Sequence, residues 1–408
     1  MRATLAFLMF LCGPLAALAP LGLAWAMPLL LVLLLIERRD VLWKARPFAA
    51  LWFRLLLGFA LLAGISLAWT SAPGSAAVQA GLMLPLVLLA AWGAIVISMR
   101  ERAIDRRLTD AWSLGFGFGL ALMLIELLFG QPLRALTGAT VDDMSILRLN
   151  RSAVAFACFL WPTLFLLRAA GRSRWALAAA AATLGAVFLS HSQSAQLGLI
   201  IGGLALGLAQ LRERFTRGVL AAAPLLLALI MVPLAQVLRW FDLTLAASLP
   251  LSFRQRIEIW DFTARRVGEA LWFGHGLDAS RRIDNGGEIS AFQPAGSPIL
   301  PLHPHNAFLQ LWLELGLLGT GLAVAALAAA ILGFGRMPAS LRPFLLAASA
   351  AAIAMLAVAY GLWQGWWIGT LGLTVLLCAM AASRATTAST LTQEKKARPN
   401  ARHRRFYR

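Results

Sequence analysis

"HPHNAFLQLWLELGLLG", His303 to Gly319, is an apolar stretch into which two histidines, an asparagine, a glutamine and a glutamate are set. Continued to about residue 334 it can cross a bilayer, because ~20 apolar residues at ~1.5 Å each cover the hydrocarbon core. Similar runs recur along the whole chain. Of its 408 residues, 60% are hydrophobic and only 13% are charged, and the mean hydropathy is +0.76. That balance excludes a soluble domain and predicts an all-α, polytopic integral membrane protein. The densest polar cluster of the chain then sits at the mouth of one membrane helix.

Apolar runs predict about twelve spans, at roughly 4–19, 21–36, 48–69, 76–98, 109–129, 151–168, 175–190, 194–211, 218–238, 305–334, 343–360 and 362–382. Pro14, Pro20 and Pro28 interrupt the first pair, which also reads as a broken helix with a re-entrant piece. Arg2 and an apolar stretch ending Ala17-Leu18-Ala19 imitate a secretory signal. Pro20 would block cleavage there, so the segment is read as an uncleaved first span. The basic clusters Arg38–Arg46, Arg100–Arg107, Arg168–Arg174, Arg212–Arg217 and Arg336–Arg342 fall on one side if both termini are cytoplasmic. The net charge of +18 therefore follows the positive-inside pattern, not a nucleic-acid surface. Residues 1–383 form one membrane domain in this reading, and 384–408 a basic, disordered cytoplasmic tail resting on anionic headgroups. Cys12, Cys158 and Cys378 lie far apart in apolar segments and imply neither disulfides nor a cysteine metal site.

The opposite side holds two sizeable loops, about 130–150 and about 239–304. In the second, Ile257, Trp260, Ala264, Val267 and Leu271 recur at helical spacing, which predicts an amphipathic helix on the bilayer surface. The Gly- and Pro-rich stretch after it reads as loop.

In the polar cluster, Pro304 suits a first helical turn, with His303 just before it and His305 and Asn306 within that turn. The positive end of the helix dipole disfavours an imidazolium, so His305 is expected to stay neutral and able to accept a proton. Free N–H groups at the same end can hold an anion. Asn306, Gln310 and Glu314 share one stripe. A carboxylate as deep as Glu314 costs several kcal/mol unless paired, so it should face protein, not lipid. The same residues also read as helix-packing polar groups under interfacial histidines. A zinc site from His303, His305 and either His275 or His191 lacks the usual motif spacing.

The run His305-Asn306, nine residues, Gly316, two residues, Gly319 resembles the signature of the bacterial O-antigen ligase and O-antigen polymerase superfamily. Three further stretches are similar to family elements, in order and on the same predicted side. They are "LRLNRSAVAFACFLWP" (Leu147–Pro162), the Ser-x-Ser turn in "LSHSQSAQLGL" (Leu189–Leu199), and "RQRIEIWDF" with "FGHGLDASR", holding Arg256-x3-Trp260 and a Gly-x-Gly turn. Together they cover about residues 110 to 330. The resemblance implies an inner-membrane glycosyltransferase with its active site at the periplasmic face. Its donor would be a glycan on undecaprenyl pyrophosphate and its acceptor a sugar hydroxyl, that of lipid A–core for a ligase.

Under that resemblance His305 is the general base. Arg256, Arg151 and Arg281 are the candidate pyrophosphate ligands, since guanidinium matches phosphate oxygens bidentately. His303, Asn306, Gln310, Glu314, His191 and Gln193 support the site. The chemistry needs no metal or other cofactor, and Asp142-Asp143 reads as a solvated turn. The chain departs from the family pattern at Gln193, where many relatives carry arginine. Arg151 or Arg281 is the expected substitute, with a contribution from His191. His275 and the tryptophans, Trp260 and Trp272 among them, read first as turn, packing or interfacial residues. A polymerase of the same superfamily uses the same donor and chemistry. A non-enzymatic transporter would carry ionisable residues along a path through the bilayer, whereas the clear ones here are Arg54, Glu126 and Glu314.

Overall fold

The computed structural model describes residues 1–72, 74–99, 103–136, 149–241 and 248–397. Among them the regular elements are helical, apart from one bridge between Ile289 and Pro298. The main helices are α1 (Arg2–Leu18), α2 (Leu23–Glu37), α3 (Leu51–Ile65), α4 (Gly74–Ser98), α5 (Arg106–Leu128) and α6 (Asn150–Ala169). They continue as α7 (Ser173–Leu189), α8 (Gln193–Trp240), α9 (Leu251–Val267), α10 (Ala307–Gly333), α11 (Arg342–Val358) and α12 (Gly365–Ala397). Each apolar run of the sequence coincides with one of these helices or with half of α8. Eight helical segments are long and apolar enough to cross a membrane, while α1, α7 and α11 are apolar but shorter. The chain is a multi-pass, all-α membrane protein. The first pair of runs forms two helices joined by a 3-10 turn at Pro20–Gly22. Helix α12 runs on through Ala397 into the segment read as a tail, and 398–408 lie outside the described residues.

At 48 residues, α8 would be about 72 Å long if straight, more than twice the hydrocarbon thickness. It is not straight, because Arg212 has non-helical backbone angles (φ −140°, ψ 62°). The first half packs antiparallel to α11, with Gly198 against Met355 and Gly202 against the Ala347 carbonyl. The second half returns along α10. Arg217 donates to the Leu332 carbonyl, Trp312 to the Ala228 carbonyl, and Asn306 contacts the Met231 sulfur. Thus α8 doubles back as a hairpin of two helical halves, with Arg212, Arg214 and Arg217 at its turn. Helix α6 lies at the centre of the molecule, with every residue from Ser152 to Leu167 buried.

Polar contacts segregate to the two ends of the bundle. At one end the basic connections are tied together. Arg38 caps the Val96 and Ile97 carbonyls, the Ile104 amide reaches Ser383, and Arg172 pairs with Asp110 and Arg342 with Glu213. At the other end Thr70 donates to the Leu277 carbonyl, Trp69 to that of Gly274, and Ser152 to that of Ala17. The large loop and the connection between α11 and α12 belong to this second end.

The amphipathic segment does form a helix, α9, with Ile257, Trp260, Ala264 and Val267 buried. Its apolar face is covered by α8 and α10, not by a bilayer surface. Leu271 lies beyond its end and serves a different purpose. Within α10, Gly316 breaks the helix (φ 61°, ψ −160°). In an unbroken helix the amides of residues 317 and 318 would bond to carbonyls 313 and 314. Here Leu317 N–H donates to Leu271 O (2.8 Å) and Leu318 N–H to Trp272 O (3.2 Å). The vacated carbonyls accept from His275 N–H (2.9 Å) and Gly276 N–H (2.8 Å). The segment 271–276 is threaded into the helix ladder, and these exchanged backbone groups all find partners, as a membrane interior demands. The approach requires glycine. A Cβ on Gly316 would lie 2.5 Å from the Trp272 carbonyl carbon, and one on Gly274 (φ 68°) 2.3 Å from that of Glu314.

Gly316→Ala combines a forbidden backbone conformation with a backbone clash. We expect it to cost about 3 kcal/mol or more, read as loss of the monodisperse detergent-solubilised protein or a large fall in its melting temperature. Gly321→Ala, in the same helix with open space around it, should leave both unchanged.

Candidate active site

Helix α10 starts at Ala307, two residues later than the predicted span. Asn306 is its N-cap, with Oδ1 accepting from the amides of Phe308 (3.0 Å) and Leu309 (3.1 Å). His305 therefore lies outside the first turn, in a left-handed conformation (φ 55°). The strained backbone turns its ring away from the helix axis and beside that of His303, with centroids 4.3 Å apart. Pro304 is held from α9, whose Trp260 indole donates to its carbonyl at 2.9 Å. The tryptophan of the Arg-x3-Trp element thus fixes the backbone on which His305 sits, one helical turn from Arg256.

Burial depresses the His305 pKa to about 4, assisted by Arg256 nearby and opposed by a hydrogen bond to the Ala359 backbone. His303 is pushed down to about 3 by burial, then by His305 and Arg281. Both rings are neutral at pH 7. The sequence ascribed neutrality to the helix dipole, whereas burial and a guanidinium are the main causes here. With one His305 nitrogen engaged at Ala359, the other has no hydrogen-bond partner among the described residues and can accept a proton. His303 is fixed by Gln364, whose amide nitrogen lies 3.0 Å from Nε2 and whose carbonyl accepts from Trp366 (3.0 Å).

The three candidate arginines differ in their partners. Arg281 is salt-bridged to Asp278 at 2.6 Å, so its charge is already compensated. Arg256 donates to the Ser252 carbonyl of its own helix and its buried Nε has no partner. Burial lowers its pKa from the usual arginine range. Arg151, at the outer end of central α6, lies over the Trp366 ring, 5.7 Å from the centroid. Among the described residues no ion pair joins Arg151 or Arg256 to a carboxylate, whereas Arg265 and Arg266 are paired with Glu288 and Glu269. Two uncompensated cations and a neutral imidazole converge at one end of the bundle, an arrangement that attracts an anion and can take up a proton.

Glu314 faces protein and is fully buried. Its carboxylate accepts from the Asp278 amide (3.0 Å), Ser280 Oγ (2.7 Å), Gln310 Nε2 (2.9 Å) and the Trp363 indole. Gln310 also accepts from the Leu362 amide at 2.9 Å. The pair therefore pins the large loop and the α11–α12 connection to α10. Gln193, first residue of α8, and His191 (φ 54°) are exposed in the turn before it. Ser194, the second residue of α8, is hydrogen-bonded to the Tyr360 hydroxyl. His275 is turned to the Arg266 carbonyl (3.0 Å), away from His303 and His305. Asp142-Asp143 lie outside the described residues. Tyr360, Gln364, Trp366, Ser280 and Asp278 were not singled out from the sequence. The signal for Tyr360, Gln364 and Trp366 was "YGLWQGWW" (Tyr360–Trp367), aromatic and polar residues crowded into a short connection, whereas Asp278 and Ser280 lie in the large loop beside Arg281.

The chain matches the O-antigen ligase family over residues 178–324, which hold the Ser-x-Ser turn, α9, the threaded segment, His305 and Gly316. Among individual proteins, the chain is similar to provisionally named polysaccharide ligases of three Rickettsia species. The Rickettsia felis protein is 27% identical over 59% of this chain and 60% of its own length. The Rickettsia conorii protein is 26% identical over 67% of each. That of Rickettsia prowazekii is 31% identical over 29% of each. The alignment to the first of these spans less than two thirds of the relative.

Glu314→Gln would turn an amide nitrogen toward a cluster of donors, of which Ser280 alone has a second acceptor, the Leu302 carbonyl at 3.1 Å. The loss is expected at about 3 kcal/mol or more, measured as a fall in melting temperature. Trp260→Phe, which leaves the buried Pro304 carbonyl unpaired, should cost about 1–3 kcal/mol and show a smaller fall.

Proposed function

We propose that this protein is a membrane glycosyltransferase of the O-antigen ligase type. It moves a glycan from undecaprenyl pyrophosphate to a sugar hydroxyl of lipid A–core at the periplasmic face of the bacterial inner membrane. The observation that carries this reading is the neutral His305 near Arg256, with Arg151 on the Trp366 ring and neither arginine ion-paired to a carboxylate among the described residues. The leaving group is a lipid pyrophosphate, so catalysis must activate the acceptor hydroxyl and stabilise the departing charge. His305 takes the hydroxyl proton as general base. Arg256 and Arg151 hold the pyrophosphate oxygens, and Arg281, paired with Asp278, helps to keep His303 unprotonated. The scheme requires no metal, because the two guanidinium groups supply the positive charge. The basic end of the bundle is the cytoplasmic end by the positive-inside rule, which puts the site on the opposite face. Gln310, Glu314, Asn306 and His303 act by holding the backbone and ring of the base. The matched family and the similarly named relatives support the same reading.

The direct test is the glycolipid profile of a strain lacking the protein, complemented with wild type or His305→Ala. A ligase leaves long polymer on undecaprenyl pyrophosphate and bare lipid A–core when absent. A polymerase of the superfamily leaves lipid A–core carrying a single repeat unit. His305→Ala should fail to complement, with transfer by purified protein reduced about 10²–10⁴-fold. Restoration of the wild-type pattern by His305→Ala would remove the histidine from this role.

The pH profile carries a second expectation. A base with its pKa lowered to about 4 is deprotonated above that value and is protonated, with loss of activity, only as pH falls through it. The kcat/KM of wild type should therefore show no acid limb between about pH 8 and 6. Arg256→Gln removes a nearby positive charge and should move the limb to higher pH, besides lowering the rate. An unchanged limb would show that Arg256 does not act on His305.

A further inference from the structure

We propose that Tyr360 is a third ligand of the donor pyrophosphate, its hydroxyl donating a hydrogen bond to a phosphate oxygen held between Arg151 and Arg256. The inference rests on the reading of this site as a lipid-pyrophosphate glycosyltransferase. Tyr360 lies in the short connection between α11 and α12, next to Ala359, whose backbone bonds the His305 ring. Its ring packs edge-on against Trp366, with centroids 4.6 Å apart at 86°, and lies 6.0 Å from Trp367. The same Trp366 carries the Arg151 guanidinium on its face, 5.7 Å from the centroid. One indole therefore sets the positions of both the phenol and the cation. Arg256 approaches the phenol from α9 and Ser194 from the start of α8. Four elements of the chain thus converge on one hydroxyl.

The chemistry fits an anion better than a sugar or a lipid tail. A phenol is a rigid donor with two side-chain torsions, so little entropy is lost in aiming it. Burial pushes its pKa up, against Ser194 and the two arginines, so it keeps its proton at neutral pH and donates. No carboxylate among the described residues pairs with either arginine, and the Ser194 bond that opposes the rise in the phenol's pKa is one its oxygen accepts, so the phenol proton and the guanidinium donors not used at Ser252 can share an anionic acceptor. Hydrogen bonds to charged groups are the strong ones, worth about tenfold in affinity or somewhat more.

The test uses the rarity of the residue. The chain has two tyrosines, Tyr360 and Tyr407. Biosynthetic 3-fluorotyrosine labelling of the full-length protein in lipid nanodiscs gives two fluorine resonances, and Tyr407→Phe assigns them. Farnesyl pyrophosphate, with farnesyl monophosphate as control, is then titrated into wild type and Tyr360→Phe. The expected result is a saturable shift of the Tyr360 resonance with pyrophosphate. Tyr360→Phe, which keeps the ring contacts with Trp366, should raise the Kd about 10-fold. It should raise the donor KM equally, with acceptor KM and melting temperature unchanged. If wild type and Tyr360→Phe bind and turn over the pyrophosphate donor equally well, the Tyr360 role is wrong and the parent reading stands. If wild type neither binds farnesyl pyrophosphate nor transfers glycan, both fall together.

Discussion

The rest of the site depends on an exchange of main-chain hydrogen bonds at Gly316. A membrane helix rarely tolerates a break, because each amide or carbonyl it frees costs several kcal/mol in hydrocarbon. Here the amides of Leu317 and Leu318 and the carbonyls of Leu313 and Glu314 are freed and then recovered by residues 271–276. The break thereby anchors a long, irregular loop to the body of the bundle with backbone groups, whose positions vary little. Everything beyond the anchor follows from it. Ser280 and the Asp278 amide reach Glu314, the loop turns back toward α10, and Trp260 can meet the Pro304 carbonyl. Without the anchor, His305 would be one histidine on a mobile connection.

Electrostatics then separates two kinds of arginine. Most of those facing other elements are neutralised by acids, at Arg172, Arg265, Arg266, Arg281 and Arg342. Among the described residues Arg151 and Arg256 pair with no carboxylate, and both are half-buried. That is costly for a resting protein and useful for one whose ligand brings two phosphates, since partly buried charges interact more strongly than exposed ones. Burial, assisted by the charge of Arg256, keeps His305 unprotonated. An arriving anion would oppose Arg256 and raise the basicity of His305 when the acceptor is to be activated.

Hydropathy alone was enough to read the helices, since every predicted run became a helix or half of one and the basic clusters marked the turn of α8 at Arg212. The site was legible in part. His305, Arg256 and Gly316 stood in motifs, and Asn306, Gln310 and Glu314 shared a stripe that the structure turns into a cap and a hub. What failed to show was three-dimensional. A left-handed His305 cannot be read from a residue that does not require it. The cover over α9 depends on α8 and α10, distant in sequence. Tyr360 and Gln364 lie some sixty residues after the histidines, as the numbering makes plain, and only the folding of α11 and α12 brings them alongside.

The central claim is that the pyrophosphate of a lipid-linked donor is held against His305 by Arg256 and Arg151. A cryo-electron microscopy structure of the full chain in lipid nanodiscs, with a non-transferable lipid pyrophosphate analogue, tests it most directly. The account predicts both phosphates between those arginines, at the end of the bundle opposite the basic connections, with the free nitrogen of His305 facing the position of the incoming hydroxyl. Phosphate density at the basic end, or beyond side-chain reach of His305, would contradict it.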